Sequence, residues 1–125
     1  MGTMIVAIPS VMPGGLHAEV GEHFGHCEVY TLVEIDGKEV LSVSTTPNVP
    51  HEHGGCMAPV NLLAEKGVTA LIAGGMGARP LQGFKQKGID VYHGGDSKSV
   101  DQAVKALVAG QLHRFPTEFV CGGCS

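Results

Sequence analysis

Eleven side chains of this sequence, four cysteines and seven histidines, are suited to holding a soft metal, and most of them fall in three short stretches. The first, His23-Phe24-Gly25-His26-Cys27, offers two imidazoles and a thiol within five residues. Such donors suit zinc, copper or an iron–sulfur species. By itself the stretch also reads as a surface loop whose Cys27 leads into a buried strand. The second, His51-Glu52-His53-Gly54-Gly55-Cys56-Met57, is approached through Pro47 and Pro50 and precedes a helix, although a short His-rich tract also suits a solvated loop. The third, Cys121-Gly122-Gly123-Cys124, is a CxxC at the end of the chain. A thioredoxin-type motif would sit at a helix N-terminus, where the thiol pKa falls, but only Ser125 follows here. A zinc knuckle would need a second ligand pair. The tail therefore reads either as a thiolate clamp or as an incidental, oxidisable terminus.

A fourth motif holds no thiol. Gly74-Gly75-Met76-Gly77-Ala78-Arg79-Pro80 follows a strand and opens a helix. Free N–H groups and the helix dipole make such a turn attractive to anions, and Arg79 adds a permanently charged donor fork. The spacing is neither a P-loop nor a dinucleotide fingerprint, which disfavours ATP and NAD. The bland alternative is that the glycines serve only close strand–helix packing. His113 lies apart from these stretches and reads as an ordinary surface histidine.

The elements that must position these groups follow from periodicity. Met4–Ile8 is a β run ended by Pro9, and Val29–Ile35 alternates with a strand's period of two. Asp36-Gly37 signals a hairpin, and Val40–Thr45 returns. After the 47–56 loop, Pro59 suits the first turn of a helix whose face carries Val60, Leu63 and Ala64, ended by Gly67. Val68–Ala73 is a buried strand, Pro80 opens a second helix, and Ile89–Tyr92 is a short strand. A third helix, capped by Asp96 or Ser97, carries Val100, Ala103, Val104, Leu107 and Val108 and stops at Gly110.

The order βββαβαβα implies an α/β domain: an antiparallel meander continued by βαβα units into a five-stranded mixed sheet with three helices. With the first, third, fourth and fifth strands running one way, the first two stretches and the glycine turn share the carboxyl edge, where open α/β sheets bind ligands. His17 and His93 belong to the same edge. Residues 1–113 form the domain, and 114–125 read as a flexible tail bearing the CxxC.

Composition excludes several classes. The net charge is −4 without a basic run, and aromatics number four Phe and two Tyr, so a nucleic-acid partner is not expected. No apolar run reaches membrane-span length, no signal-peptide pattern is present, and Val6 stands where myristoylation would need Ser or Thr. A cytoplasmic protein is expected, with cysteines as metal or redox thiols rather than disulfides.

Taken together, Ile5-Val6-Ala7-Ile8-Pro9-Ser10, Glu22-His23-Phe24-Gly25-His26, His53-Gly54-Gly55-Cys56, Ile72-Ala73-Gly74-Gly75-Met76-Gly77-Ala78-Arg79-Pro80-Leu81 and Gly88-Ile89-Asp90-Val91-Tyr92 resemble the dinitrogenase iron–molybdenum cofactor biosynthesis family. This is the small domain shared by NifX-type and NafY-type carriers and the C-terminal part of NifB, with orange-protein-like members. The resemblance covers roughly residues 4–110, and its most specific part is the Ala-Gly-Gly-Met-Gly-x-Arg segment. It implies a ribonuclease-H-like fold and binding of an anionic metal–sulfur cluster of the Fe/Mo or Mo/Cu sulfide type. It also implies cluster-assembly or acceptor proteins as partners, Mrp-type ATPases among them. A monomer or weak homodimer is expected.

The resulting expectation is a non-catalytic carrier. Gly54, Gly55, Gly74, Gly75, Gly77 and Arg79 would offset the cluster's charge, with Met57 and Met76 as apolar cover. Cys27, Cys56, His23, His26, His51 and His53 would supply metal bonds, with Cys121 and Cys124 as further thiolates. The alternatives are a small zinc-dependent hydrolase using loop histidines and a thiol redox protein using the terminal CxxC. A two-metal nuclease would need clustered carboxylates, and the first strand contains none.

Overall fold

The computed structural model describes residues 3–12, 14–21, 29–47, 58–73, 76–94, 98–113 and 120–121, with 58–59, 76–80 and 120–121 described as backbone. Its elements are β1 (Thr3–Ser10), β2 (Val29–Asp36), β3 (Glu39–Pro47), α1 (Ala58–Glu65), β4 (Ala70–Ala73), β5 (Met76–Gly77), α2 (Ala78–Gln86), β6 (Asp90–His93), α3 (Val100–Val108) and β7 (Val120–Cys121). Five strands form one sheet in the order β3-β2-β1-β4-β6, and β5 pairs with β7 apart from it. β1–β2 and β2–β3 are antiparallel, while β1–β4 and β4–β6 are parallel. This is the five-stranded mixed sheet with three helices expected from the order of elements.

The meander is closed by a two-residue turn, Gly37-Lys38, because Asp36 pairs with Glu39. Gly37 has φ +63° and no described non-glycine residue has positive φ, the pattern of a turn with glycine first. Pro9 does not end β1. It pairs with Tyr30 on β2, whereas the β4 ladder runs through Val6 and Ala7, so its missing N–H is not needed on that side.

Alternate residues of the sheet build two cores. On one face Ala7, Tyr30, Leu32, Leu71 and Ala73 pack beneath Val60 and Leu63 of α1 and Leu81 and Phe84 of α2. On the other, Val6, Ile8, Val33, Ile35, Ala70 and Ile72 pack beneath Val100, Ala103 and Val104 of α3. The two sets follow from the pleat's period of two. The fourth and fifth elements of this sheet, β4 and β6, begin later than their hydrophobic runs: Val68 is buried ahead of β4, and Ile89 ahead of β6.

β3 departs from simple alternation. Eight of its nine residues are solvent-facing or nearly so, with Thr46 alone buried. Val40 and Val43 lie opposite Ile35 and Val33, on the α3 face, yet remain 42% and 37% exposed. A bulge between Glu34 and Ile35 leaves Leu41 as the extra residue, half exposed. The helices cover the sheet's middle, and this edge strand lies outside them.

The cap of α3 is Ser99 rather than Asp96 or Ser97. Its hydroxyl accepts the Gln102 N–H at 3.2 Å, and the Gln102 side chain accepts the Lys98 N–H at 2.9 Å. The Ser99-x-x-Gln102 spacing is that of a capping box.

Candidate functional site

The backbone register fixes one edge of the sheet. Ser10, Val29 and Pro47 stand side by side on β1, β2 and β3, and Ala73 stands beside His93 on β4 and β6. From this row the chain departs or arrives five times. Residues 11–28 join Ser10 to Val29, 48–57 lead from Pro47 to α1, 74–75 lead from Ala73 to β5, and Gly94 follows His93. These are the segments that carry the candidate ligands.

The candidates themselves divide sharply. His23, His26, Cys27, His51, His53, Gly54, Gly55, Cys56, Met57, Gly74, Gly75 and Cys124 lie outside the described residues. Met76 and Gly77 form β5, Arg79 is in the first turn of α2, and Cys121 is in β7. His17 is exposed, and His93 ends β6. Among the described residues no three His, Cys, Asp or Glu side chains cluster as a metal site. The strand ends that would root the candidate site are therefore described, and most of its candidate donor residues lie outside the described residues.

Ser10 and Thr31 are fully buried polar residues at the site edge of β1 and β2. The Ser10 hydroxyl donates to the Ile8 carbonyl at 2.7 Å and lies 2.8 Å from Thr31 Oγ1. A hydroxyl has one proton, so Ser10 must accept from Thr31. Thr31 Oγ1 in turn accepts the Gly15 N–H at 3.0 Å. This one-way chain of three bonds ties residue 15 to the sheet, and no donor in it is left over.

Gly14 completes the attachment. Its φ is +79°, and a Cβ placed on it would stand 2.7 Å from Thr45 Cγ2, 3.1 Å from Val29 Cγ2 and 3.3 Å from Thr31 Oγ1. Only a residue without a side chain brings the backbone this close to the sheet.

The following residues run toward α3. Val11 N donates to Glu19 O and Gly21 N to Pro9 O, while Val20 N donates to Lys98 O. Leu16, Ala18 and Val20 are half-buried against the α3-side core. Val100 N donates to Ala18 O at 3.0 Å and Asp101 N to Leu16 O at 2.8 Å. The free amides at the start of α3 are thus already used. That helix end is closed to an anion.

Two features escaped sequence reading. The Ser10–Thr31 pair is invisible in sequence because its partners are 21 residues apart, although a Ser ending an apolar strand is a weak hint. His113 does not stand apart from the edge: its carbonyl accepts the His93 N–H at 3.0 Å. A cavity of about 350 Å³ lies elsewhere, on the α1 face, lined by Ile5, Leu32, Glu34, Ser42, Ser44, Thr45, Thr46 and Lys66. It is lined by no soft donor, and we place no chemistry there.

Comparison with known proteins agrees with this architecture. Residues 4–110 match the family described as dinitrogenase iron-molybdenum cofactor. An uncharacterized protein of Methanocaldococcus jannaschii is 35% identical over 95 residues, covering 74% of this chain and 80% of that protein. A Thermotoga protein provisionally assigned as NifB has a solution structure that is 29% identical, with a TM-score of 0.73, covering 89% of this chain and 92% of its own. The apo orange protein of Desulfovibrio gigas, 22% identical with a TM-score of 0.77, shares the fold over 90% of this chain and 92% of its own. No helix among the described residues is long and apolar enough to cross a membrane.

Proposed function

We propose, for a chain that belongs to the dinitrogenase iron–molybdenum cofactor family, that it binds and hands on an anionic metal–sulfur cluster at the carboxyl edge of its sheet, without transforming it. The observation that carries this reading is the register, which roots the 11–28, 48–57 and 74–75 segments on one row of strand ends.

The division of labour follows from donor chemistry. Sulfide-bridged clusters carry negative charge on their rims and soft metals within. Amides of Gly74, Gly75 and Gly77 and the Arg79 guanidinium answer the first property. Cys27 and Cys56, with His23, His26, His51 and His53, answer the second. Met57 and Met76 supply apolar, polarizable cover. The cluster is cargo, so its partners are an assembly protein that loads it and an acceptor that takes it; Mrp-type ATPases are candidates for the first role. A carrier needs ligands that can be exchanged, and loops rooted on a rigid sheet suit that need better than residues buried in the core.

The reading is tested by adding tetrathiomolybdate with Cu(I), or iron with sulfide, to the reduced protein without oxygen. Visible charge-transfer bands are expected in the parent chain and their loss in a Cys27→Ser/Cys56→Ser/Arg79→Ala variant. A triple variant that colours as strongly as the parent would overturn the proposed site.

A further inference from the structure

The two outer strands of the five-stranded sheet end it differently. β6 is four residues long, and the N–H of its last residue, His93, is taken by the His113 carbonyl. β3 runs for nine residues, and among the described residues no strand pairs with its outer side. An outer strand presents a row of N–H and C=O groups, a template for another extended backbone; charged side chains, prolines and bulges are the usual protection. β3 carries no lysine, its one acid, Glu39, opens the strand, and Pro47 closes it. The bulge falls at Leu41, which leaves residues 42–47 as an unbroken run against 29–34. Apolar exposure gathers on the same strand. Five large apolar side chains among the described residues are exposed, and three of them, Val40, Leu41 and Val43, belong to β3. Its two faces differ in kind. Val43 and Thr45 stand opposite Val33 and Thr31, on the α3 side, while Ser42, Ser44 and Thr46 stand opposite Glu34, Leu32 and Tyr30.

We infer that β3 is a self-association edge: a second copy of this chain adds its own β3 antiparallel, joining two five-stranded sheets into one of ten. The sequence is compatible with a monomer or a homodimer, and this edge selects the second and names its surface. The occupant follows from the strand's own pattern. With the two-fold axis at Val43, each Val43 faces its copy, and Ser42 faces Ser44 of the second copy. Apolar meets apolar on the α3 side and hydroxyl meets hydroxyl on the other, pairs that stabilise antiparallel strands. Charge fixes the direction. A parallel pair in register would set two Glu39 side chains together, and like charges side by side repel. The antiparallel pair sets Glu39 opposite Pro47 and keeps the two acids roughly 27 Å apart. A two-fold contact uses the same patch on both copies, so the assembly closes at two. A seam of two strands is at the low end of interface sizes, under about 1,200 Å² in total, so the dimer is transient. Across an antiparallel seam the two carboxyl edges open at opposite ends, and each stays clear of the other copy.

Sedimentation velocity of the reduced, metal-free, full-length chain across a concentration series reads the association. A reversible monomer–dimer equilibrium is expected. Val43→Lys brings two lysines face to face at the axis and should weaken the dimer roughly tenfold or more. Val43→Glu should do the same, and mixing the two variants should restore a dimer, because each axis lysine then meets a glutamate. Damage to the fold by either substitution could not be repaired by mixing. Amide hydrogen exchange locates the seam: alternate amides from Ser42 to Thr46 should slow as concentration rises, while those of β6 stay unchanged. A chain that is monomeric at every concentration, whatever else covers β3, overturns the inference. So does a dimer that Val43→Lys leaves intact, a pair of variants that stay apart on mixing, or a dimer whose β3 amides exchange as fast as the monomer's. No arm of this test involves tetrathiomolybdate, so the cluster reading and the β3 dimer can each fail without the other.

Discussion

Replacing Gly14 with Ala, and separately Gly15 with Ala, separates two costs that the loop after β1 imposes. Both glycines have positive φ, +79° and +98°, so an alanine at either is strained. That strain costs roughly 1–2 kcal/mol, offset at both sites by about 0.4–1 kcal/mol from the stiffer unfolded chain. The surroundings differ. A Cβ at Gly15 meets nothing within 4 Å, while at Gly14 it stands 2.7 Å from Thr45 Cγ2. Carbon–carbon contacts are favourable near 3.5–4.0 Å, so this is an overlap, and relieving it costs about 1–3 kcal/mol. Gly14→Ala should therefore destabilise more than Gly15→Ala by about 1–3 kcal/mol.

Urea unfolding followed by circular dichroism is the assay. With a slope near 2 kcal/mol per molar, a 2 kcal/mol difference separates the two midpoints by about 1 M. Thr45 supplies the internal control. Thr45→Ala removes Cγ2, so Gly14→Ala/Thr45→Ala should regain about 1 kcal/mol relative to additivity, while the same change paired with Gly15→Ala should be additive. Equal midpoints for the two glycine variants, or no rescue by Thr45→Ala, would show that the loop does not lie against β3 in this way.

Three further expectations concern other contacts of the fold. Ser10→Ala leaves the buried Thr31 hydroxyl without its acceptor and should cost about 1–3 kcal/mol; a chemical-denaturation cycle with Thr31→Val should show coupling near 1 kcal/mol. Ser99→Ala removes the cap of α3 and should lower stability by about 1 kcal/mol with an unchanged denaturant slope, whereas Ser97→Ala should lie within about 0.5 kcal/mol of the parent. Phe84→Ala, at a fully buried side chain between α2 and the sheet, should cost about 3–5 kcal/mol, visible as a large fall in the thermal midpoint.

Much of the scaffold could be read from the chain because several local signals agreed. The alternation of Val29–Ile35 and the Gly37 turn defined the meander, and helices between the later strands demanded parallel crossovers. From strand direction alone the carboxyl edge followed, and the register places Ser10, Val29, Pro47, Ala73 and His93 along it. What could not be read depended on contacts distant in sequence. β5 and β7 are two residues each, too short to show any period, and their pairing spans more than 40 positions. β3 shows why apolar residues do not prove burial, since Val40 and Val43 lie beyond the helices that would cover them. The α3 cap was legible but misread, because three successive residues, Ser97, Lys98 and Ser99, offer two hydroxyls and only Ser99 stands three before Gln102. As for the candidate site, the strand ends that would root it are defined, while Cys27, His53 and Cys56 lie outside the described residues.

Amide chemical-shift mapping of the isotopically labelled, reduced protein during anaerobic addition of tetrathiomolybdate and Cu(I) tests the central claim most directly. Binding at the carboxyl edge predicts that Val11, Val29, Met76, Gly77 and Gly94 shift together at one stoichiometry, while Thr3, Gly37 and Thr69 at the opposite end stay fixed. Shifts concentrated instead at Gly37, or along the groove of Glu34, Ser42 and Lys66, would contradict the account.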